Sequence, residues 1–137
     1  MPSLHGVRHN GIPLSVEQVT FVELLAAAGY RTGLIGKSHL QNFTGHPPSV
    51  SFVEKAGLTP PPEALREADR RGRQGPFYQI ENQTLWADPS HDVALPFYGF
   101  QHARICTGHG DEVGADYRRW LAAKGGDADR LIGPENA

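Results

Sequence analysis

A lysine and a histidine stand two residues apart where a short apolar stretch of the chain ends. They are Lys37 and His39, within the sequence GYRTGLIGKSHL at positions 29–40. A lysine ammonium holds an oxyanion as a point charge, and a histidine hydrogen-bonds a nucleophile or protonates a leaving group. The pair therefore indicates an oxyanion site, although Lys-x-His pairs also occur as ordinary surface residues.

The residues before this pair predict a helix from about Thr20 to Ala28. Thr20 and Glu23 have the spacing of a capping box, and Gly29 suits the left-handed residue that ends a helix. The apolar positions fall on one helical face, which we expect to be buried. That face consists of Phe21, Leu24, Leu25 and Ala28.

Two strands and a second helix complete the predicted α/β arrangement. The strands are Tyr30–Ile35 and Ala103–Cys106, and the helix runs from about Glu112 to Lys124 with Asp111 as its N-cap. The tail after this helix reads as a linker without secondary structure. In open α/β sheets, ligands bind beyond the carboxyl ends of the strands. The apolar face of the second helix is predicted to hold Val113, Tyr117, Trp120, Leu121 and Lys124.

The strand ends supply one further candidate residue. His109 lies in GHGDE, just after the second predicted strand and on the side where ligands bind, so it is a candidate substrate-binding residue. The other histidines form no metal-binding motif of the type H-E-x-x-H.

Composition excludes several classes of protein. The 137 residues carry a formal net charge of -2, which gives no basic excess for nucleic acid or a membrane surface. No apolar run approaches the ~18 residues of a membrane span, and the N-terminus lacks the apolar core of a signal peptide. The sequence thus predicts a cytoplasmic chain. Its single cysteine, Cys106, leaves no intrachain disulfide and no cysteine-based zinc cluster.

Residues 44–75 predict a long loop or insertion. Prolines are frequent in its first part, TGHPPSVSFVEKAGLTPPP, and the charged run EALREADRRGRQG at 63–75 predicts either a short exposed helix or a solvated face. Long loops of this kind inside a compact domain favour either a functional role or a missing remainder.

The stretch around the lysine and histidine resembles a motif of the sulfatase family, in the alkaline phosphatase superfamily. That motif is G-Y-x-T-x-x-x-G-K-x-H-L, after a helix of the form L-L-x-x-x-G. The family usually has tryptophan between the lysine and the histidine, where this chain has Ser38. Further similarity, in HGVRHNGIPL and LPFYGFQHARICTGHGDEVGADYRRWLA, extends the resemblance to residues 5–43 and about 95–122. The matching residues are Leu24, Leu25, Gly29, Tyr30, Thr32, Gly36, Lys37, His39 and Leu40.

The resemblance implies a fold and a chemistry. The fold would be part of an alkaline-phosphatase-like sandwich, a mostly parallel sheet flanked by helices and rich in loops. The activity would be hydrolysis of a small-molecule sulfate ester by a formylglycine nucleophile, with a divalent cation, commonly calcium. Lys37 would contact the sulfate, His39 the nucleophile, and Asn10 would be a further substrate contact.

The resemblance also implies that part of the catalytic apparatus is not in this sequence. No C/S-x-P-S/A-R motif, the source of formylglycine, occurs in it, and the family's metal ligands are not among its residues. We therefore interpret residues 1–137 as a fragment of a single sulfatase catalytic domain that is inactive in isolation. Two alternatives stay open: a phosphonate monoester or phosphodiester hydrolase of the same superfamily, and a non-catalytic remnant or binding module.

Overall fold

Two short parallel strands form a sheet in the structure, a computed structural model that describes residues 5–7, 10–46, 73 and 75–131. Strand β1 (Gly33–Gly36) pairs with β2 (His102–Ile105), with Gly33 opposite His102 and Gly36 opposite Ile105. Both strands therefore end at the same edge of the sheet. The described residues form a mixed α/β structure, as the sequence predicts.

The helices lie before, between and after these strands in the chain. None of the described helices is long and apolar enough to span a membrane. Of the helices that lie wholly within the described residues, the α-helices are α1 (Phe21–Ala27), α2 (Asp116–Ala123) and α3 (Ala128–Leu131), and short 3-10 helices occupy Pro76–Gln79, Gln83–Ala87 and Gly110–Glu112. Helix α3 lies in the tail, where the sequence predicts only a linker.

Helix α1 begins and ends where its local signals predict. The Thr20 hydroxyl accepts a hydrogen bond from the Glu23 backbone N–H (3.2 Å), and the Glu23 carboxylate accepts one from the Thr20 backbone N–H (2.6 Å). This is the reciprocal pair of a capping box. Gly29 follows the helix with a φ of +90°, a conformation that glycine adopts at little cost.

The predicted buried face of α1 is wrong. Phe21 and Leu24 are 72% and 63% exposed, Leu25 and Ala28 are also exposed, and Val22 is the side chain that turns inward. Apolar periodicity thus located the helix without identifying the side that is covered by the described residues.

Contacts at the start of α1 set this orientation. The Thr20 hydroxyl donates to the backbone carbonyl of Tyr98 (3.0 Å). A Cβ atom at Gly99 would lie only 2.6 Å from the Glu23 backbone nitrogen, so only glycine permits so close an approach. The first turn of α1 therefore lies against residues 98–99, which a helical pattern alone does not reveal.

The start of α2 is also a correction. The helix begins at Asp116 rather than near Glu112, and its N-cap is Ala115, not Asp111. The Asp116 carboxylate accepts a hydrogen bond from the Ile105 backbone N–H (2.8 Å), which fixes the first turn against the end of β2. The predicted apolar face of α2 is largely uncovered too, because no residue of this helix is buried.

The core lies on one face of the strand pair. Ile105 and Phe97 are fully buried, whereas Ile35, on the opposite face of the sheet, is 81% exposed. The buried apolar residues form one cluster: Ile80, Trp86, Phe97, Tyr98, Ala103, Ile105 and Ala115.

Most of the predicted loop at 44–75 lies outside the described residues, as does nearly all of the charged run at 63–75.

The two isoleucines of the strand pair provide a matched test of this core. We expect Ile105→Ala to lower the free energy of unfolding by about 2–5 kcal/mol, because it leaves a cavity in the core. Ile35→Ala should cost less than about 1 kcal/mol, since little more than strand preference is lost. Urea denaturation followed by circular dichroism measures both, and equal losses would contradict the assignment of the buried face.

Tyr98 makes stability sensitive to alkaline pH. Its phenol is buried and donates to the Leu14 carbonyl (2.6 Å), and burial raises its pKa well above the ordinary value. A raised pKa in the folded state gives stability that is fully present below the ordinary pKa of about 10 and is lost as the pH rises through the folded value. We expect the free energy of unfolding to fall more steeply between about pH 10 and 11 in the wild type than in Tyr98→Phe. Parallel curves from urea melts would rule out this role for Tyr98.

Candidate functional site

Lys37 and His39 lie directly beyond the carboxyl end of β1. Both residues are half-buried. The Cys106 backbone N–H donates to the Gly36 carbonyl (2.9 Å), so the chain leaving β2 stays beside the chain leaving β1 at this edge. The location agrees with the general position of ligand sites in parallel sheets.

A buried glutamate holds the backbone on both sides of His39. One carboxylate oxygen of Glu81 accepts from the Ser38 hydroxyl (2.7 Å) and the Ser38 backbone N–H (3.2 Å), and the other accepts from the Gln41 backbone N–H (2.7 Å). Glu81 is 0% exposed. Because both oxygens accept from N–H groups, the acceptor-only carboxylate form satisfies every one of these bonds.

The Gln41 side chain adds two hydrogen bonds between the segment after β1 and the segment that carries Glu81. Its amide nitrogen donates to the Phe77 carbonyl (2.6 Å), and its amide oxygen accepts from the Glu81 backbone N–H (3.3 Å). Two residues on, the Phe43 carbonyl accepts from the Gln83 backbone N–H (2.8 Å). The segment after β1 is therefore joined to residues 77–83 along its length.

His39 has a left-handed backbone. Its φ is +58°, a region that L-residues other than asparagine, aspartate and histidine rarely occupy. Its imidazole packs edge-on against the Phe43 ring, with 4.4 Å between ring centroids. Such conformations cost roughly 1–3 kcal/mol and persist where the surrounding structure imposes them.

The charge of Lys37 affects the pKa of the Cys106 thiol. Burial raises the pKa of Cys106, and the Asp116 carboxylate raises it further, while a backbone hydrogen bond from Tyr117 and the Lys37 ammonium act in the opposite direction. Cys106 is thus half-buried and held as a neutral thiol at neutral pH. Within the described part of the chain, no residue forms a hydrogen bond or ion pair with the Lys37 ammonium.

The other two candidate residues are less closely tied to the pair. Asn10 is exposed, and its segment approaches the site at Leu14, whose backbone N–H donates to the Leu40 carbonyl (2.8 Å). His109 is exposed in the loop that follows β2, just before the 3-10 helix Gly110–Glu112. Both lie on segments that lead to this edge of the sheet, without a described contact to Lys37 or His39.

Among the described residues, no group of three or more histidine, cysteine, aspartate or glutamate side chains is placed to hold a metal ion. The divalent cation that the sequence resemblance implies therefore has no ligand set in this part of the chain.

Two clefts lie away from the strand edge. One, of about 380 Å³, is lined mainly by apolar and aromatic residues between α1 and the 96–101 turn, and the other, of about 440 Å³, lies around the 3-10 helices. Neither is lined by any of the four candidate residues. We favour the strand edge over these clefts because Lys37 and His39 both follow β1 there, whereas the described lining of neither cleft includes a lysine or an arginine.

Sequence reasoning missed Glu81 and Gln41. A single glutamate between Ile80 and Asn82 has no periodic signal, and its partners lie 40 and 43 residues earlier in the chain. In the sequence alone, Ser38 is only a departure from the tryptophan that the sulfatase family usually has at this position. The structure gives that serine a partner, because its hydroxyl donates to Glu81.

Compared with models of known protein families, with curated proteins and with solved structures, the chain showed no match in any of the three.

The closeness of Lys37 and Cys106 can be tested by alkylation. Replacement of Lys37 by methionine removes a charge that lowers the Cys106 pKa, so the pKa should rise and the thiolate fraction at a given pH should fall. We expect slower reaction with iodoacetamide in Lys37→Met than in the wild type. Lys124→Met, at the exposed end of α2, is the matched control and should react at the wild-type rate. Equal rates in all three proteins would show that Lys37 lies too far from the thiol.

Proposed function

We propose that Lys37 and His39 form the cation–imidazole half of a site for a sulfate ester, as in a sulfatase-family hydrolase. Lys37 would place its ammonium against a sulfate oxygen, where a positive charge stabilises the charge of the oxyanion. His39 would hydrogen-bond the group that attacks the sulfur, or protonate the oxygen that leaves.

One observation carries this proposal: a lysine and a histidine both follow the carboxyl end of β1, in a segment that is held by hydrogen bonds to a buried carboxylate. Lys37 is half-buried as a residue and has no described hydrogen-bond or ion-pair partner, so its ammonium is available to an anion. His39, two residues on, has a left-handed backbone between residues bound to a buried carboxylate. An ordinary surface lysine and histidine would need neither feature.

The finer fold is part of the same proposal. We place the strand pair in an alkaline-phosphatase-like sandwich, with helices on both faces of a mostly parallel sheet. Parallel sheets are generally covered on both faces. The 81% exposure of Ile35, together with the exposed apolar side of α1, supports this placement because these surfaces have no cover within the described residues.

The sequence favours binding without turnover by this polypeptide. It contains no C/S-x-P-S/A-R motif, and Cys106 lies in the sequence CTGH and is held as a thiol. No nucleophile of the sulfatase type is therefore present. For this chain we propose sulfate-ester recognition, with hydrolysis requiring groups that this sequence does not contain.

Binding of inorganic sulfate to the 137-residue chain tests the proposal. At constant ionic strength, we expect saturable NMR shifts of the Lys37 side-chain methylene next to the ammonium and of the His39 imidazole. Lys37→Met should weaken binding by roughly tenfold or more, since a close ion pair near a protein surface is worth about 1–4 kcal/mol. Absence of a saturable shift at both residues would refute the site.

Matched variants and a second anion sharpen this test. His39→Asn retains a residue that tolerates the left-handed backbone, so its loss of affinity would report the imidazole itself. Lys124→Met and His102→Asn, both at exposed positions, should bind sulfate as the wild type does. Tighter binding of phenylphosphonate than of phenyl sulfate would favour the phosphonate hydrolase alternative. Release of sulfate from p-nitrophenyl sulfate, with or without calcium, would contradict the expected lack of turnover.

A further inference from the structure

We infer that Glu81 is a positioning residue for His39, an inference that rests on the function proposed for Lys37 and His39. Its buried carboxylate fixes the backbone before and after the histidine, and so fixes the direction in which the imidazole stands at the strand end.

The contacts surround His39 without touching its ring. On one side, Ser38 gives Glu81 both its hydroxyl and its backbone N–H, and on the other side Gln41 gives its backbone N–H. The Ser38 hydroxyl also accepts from the Leu40 backbone N–H (3.2 Å), so one oxygen atom bridges the residues on either side of the histidine. A serine hydroxyl can donate and accept at the same time, as this bridge requires.

The backbone of His39 is the part of the site that needs such support. Its φ of +58° is a backbone conformation that most L-residues avoid, because the Cβ atom then crowds the backbone. The only described ring contact of His39 is with Phe43. Without the bonds to Glu81, the segment would be free to relax to an ordinary backbone. The imidazole would then leave its position against Phe43 at the strand end.

Glu81 is suited to this role because its own backbone and side chain are held by contacts in the core. It is completely buried, and its backbone N–H donates to the Gln41 side chain. Hydrogen bonds to an ionised acceptor are stronger than bonds between neutral groups, and low surrounding polarity strengthens them further. A carboxylate here thus holds three donors more firmly than an amide would.

Glu81→Gln tests the inference with little change in side-chain volume. The glutamine side chain has one acceptor oxygen, and its NH2 group replaces the second. At least one of the groups on Ser38 and Gln41 that donate to Glu81 would then face another donor. We expect loss of the strong intraresidue amide–Hα nuclear Overhauser effect that marks a left-handed His39. We also expect about tenfold weaker binding of inorganic sulfate. This is the lower end of the loss seen in metal sites when a residue that orients a ligating side chain is replaced. Glu17→Gln, at an exposed site, should leave both readouts unchanged.

Ser38→Ala provides the second variant, which retains the buried carboxylate and removes only the bridging hydroxyl. We expect a smaller change in the same direction for both readouts. If Glu81→Gln does not fold, this variant decides, and an unchanged His39 signal with unchanged sulfate affinity would overturn the inference.

The readouts separate this inference from the proposed function. If the wild type binds sulfate and Glu81→Gln retains both the left-handed signal and the affinity, Glu81 does not position His39. If the wild type does not bind sulfate, the proposed function fails. The His39 signal then judges the inference alone: its loss in Glu81→Gln supports positioning, and its retention overturns it.

Discussion

The hydrogen bonds that the buried Glu81 carboxylate accepts are the constraint on which the site depends. An ionised group without water is stable only when its oxygens are fully occupied by donors, and here Ser38 and Gln41 supply them. The donors of the segment after β1 therefore stabilise the buried carboxylate, and the carboxylate in turn fixes the backbone of that segment. Geometry at the strand end follows from this mutual requirement rather than from the strand pair alone.

The parts of the fold that were predictable are those decided by neighbours in the sequence. The capping box of Thr20 and Glu23 and the left-handed Gly29 set both ends of α1, and both are local signals. The start of α2 was not predictable, because Asp116 bonds to Ile105, in another element. The covered side of α1 was missed for the same reason, since its first turn docks on a distant turn of the chain.

The candidate site divides in the same way. The types and spacing of Lys37 and His39 were visible in one short motif, and the structure places both directly beyond β1. The hydrogen bonds that hold their segment could not be predicted, because Glu81 lies about 40 residues further along the chain and belongs to no recognisable motif. Chemical groups can thus be read from a motif, whereas the contacts that orient them are a property of the folded chain.

The sequence distances spanned by these contacts have a consequence for how the chain folds. The Tyr98–Leu14 bond spans 84 residues and the Ser38–Glu81 bond spans 43, and β1 pairs with a strand that lies far along the chain. Each contact requires closure of a long loop before any stabilisation is gained, and folding slows as contacts become less local. The caps of helix α1 need only neighbouring residues, whereas the sheet and the lysine–histidine edge depend on these long-range contacts. A nascent chain would therefore acquire the lysine–histidine edge only after the residues that carry Glu81 and β2 have been added to it.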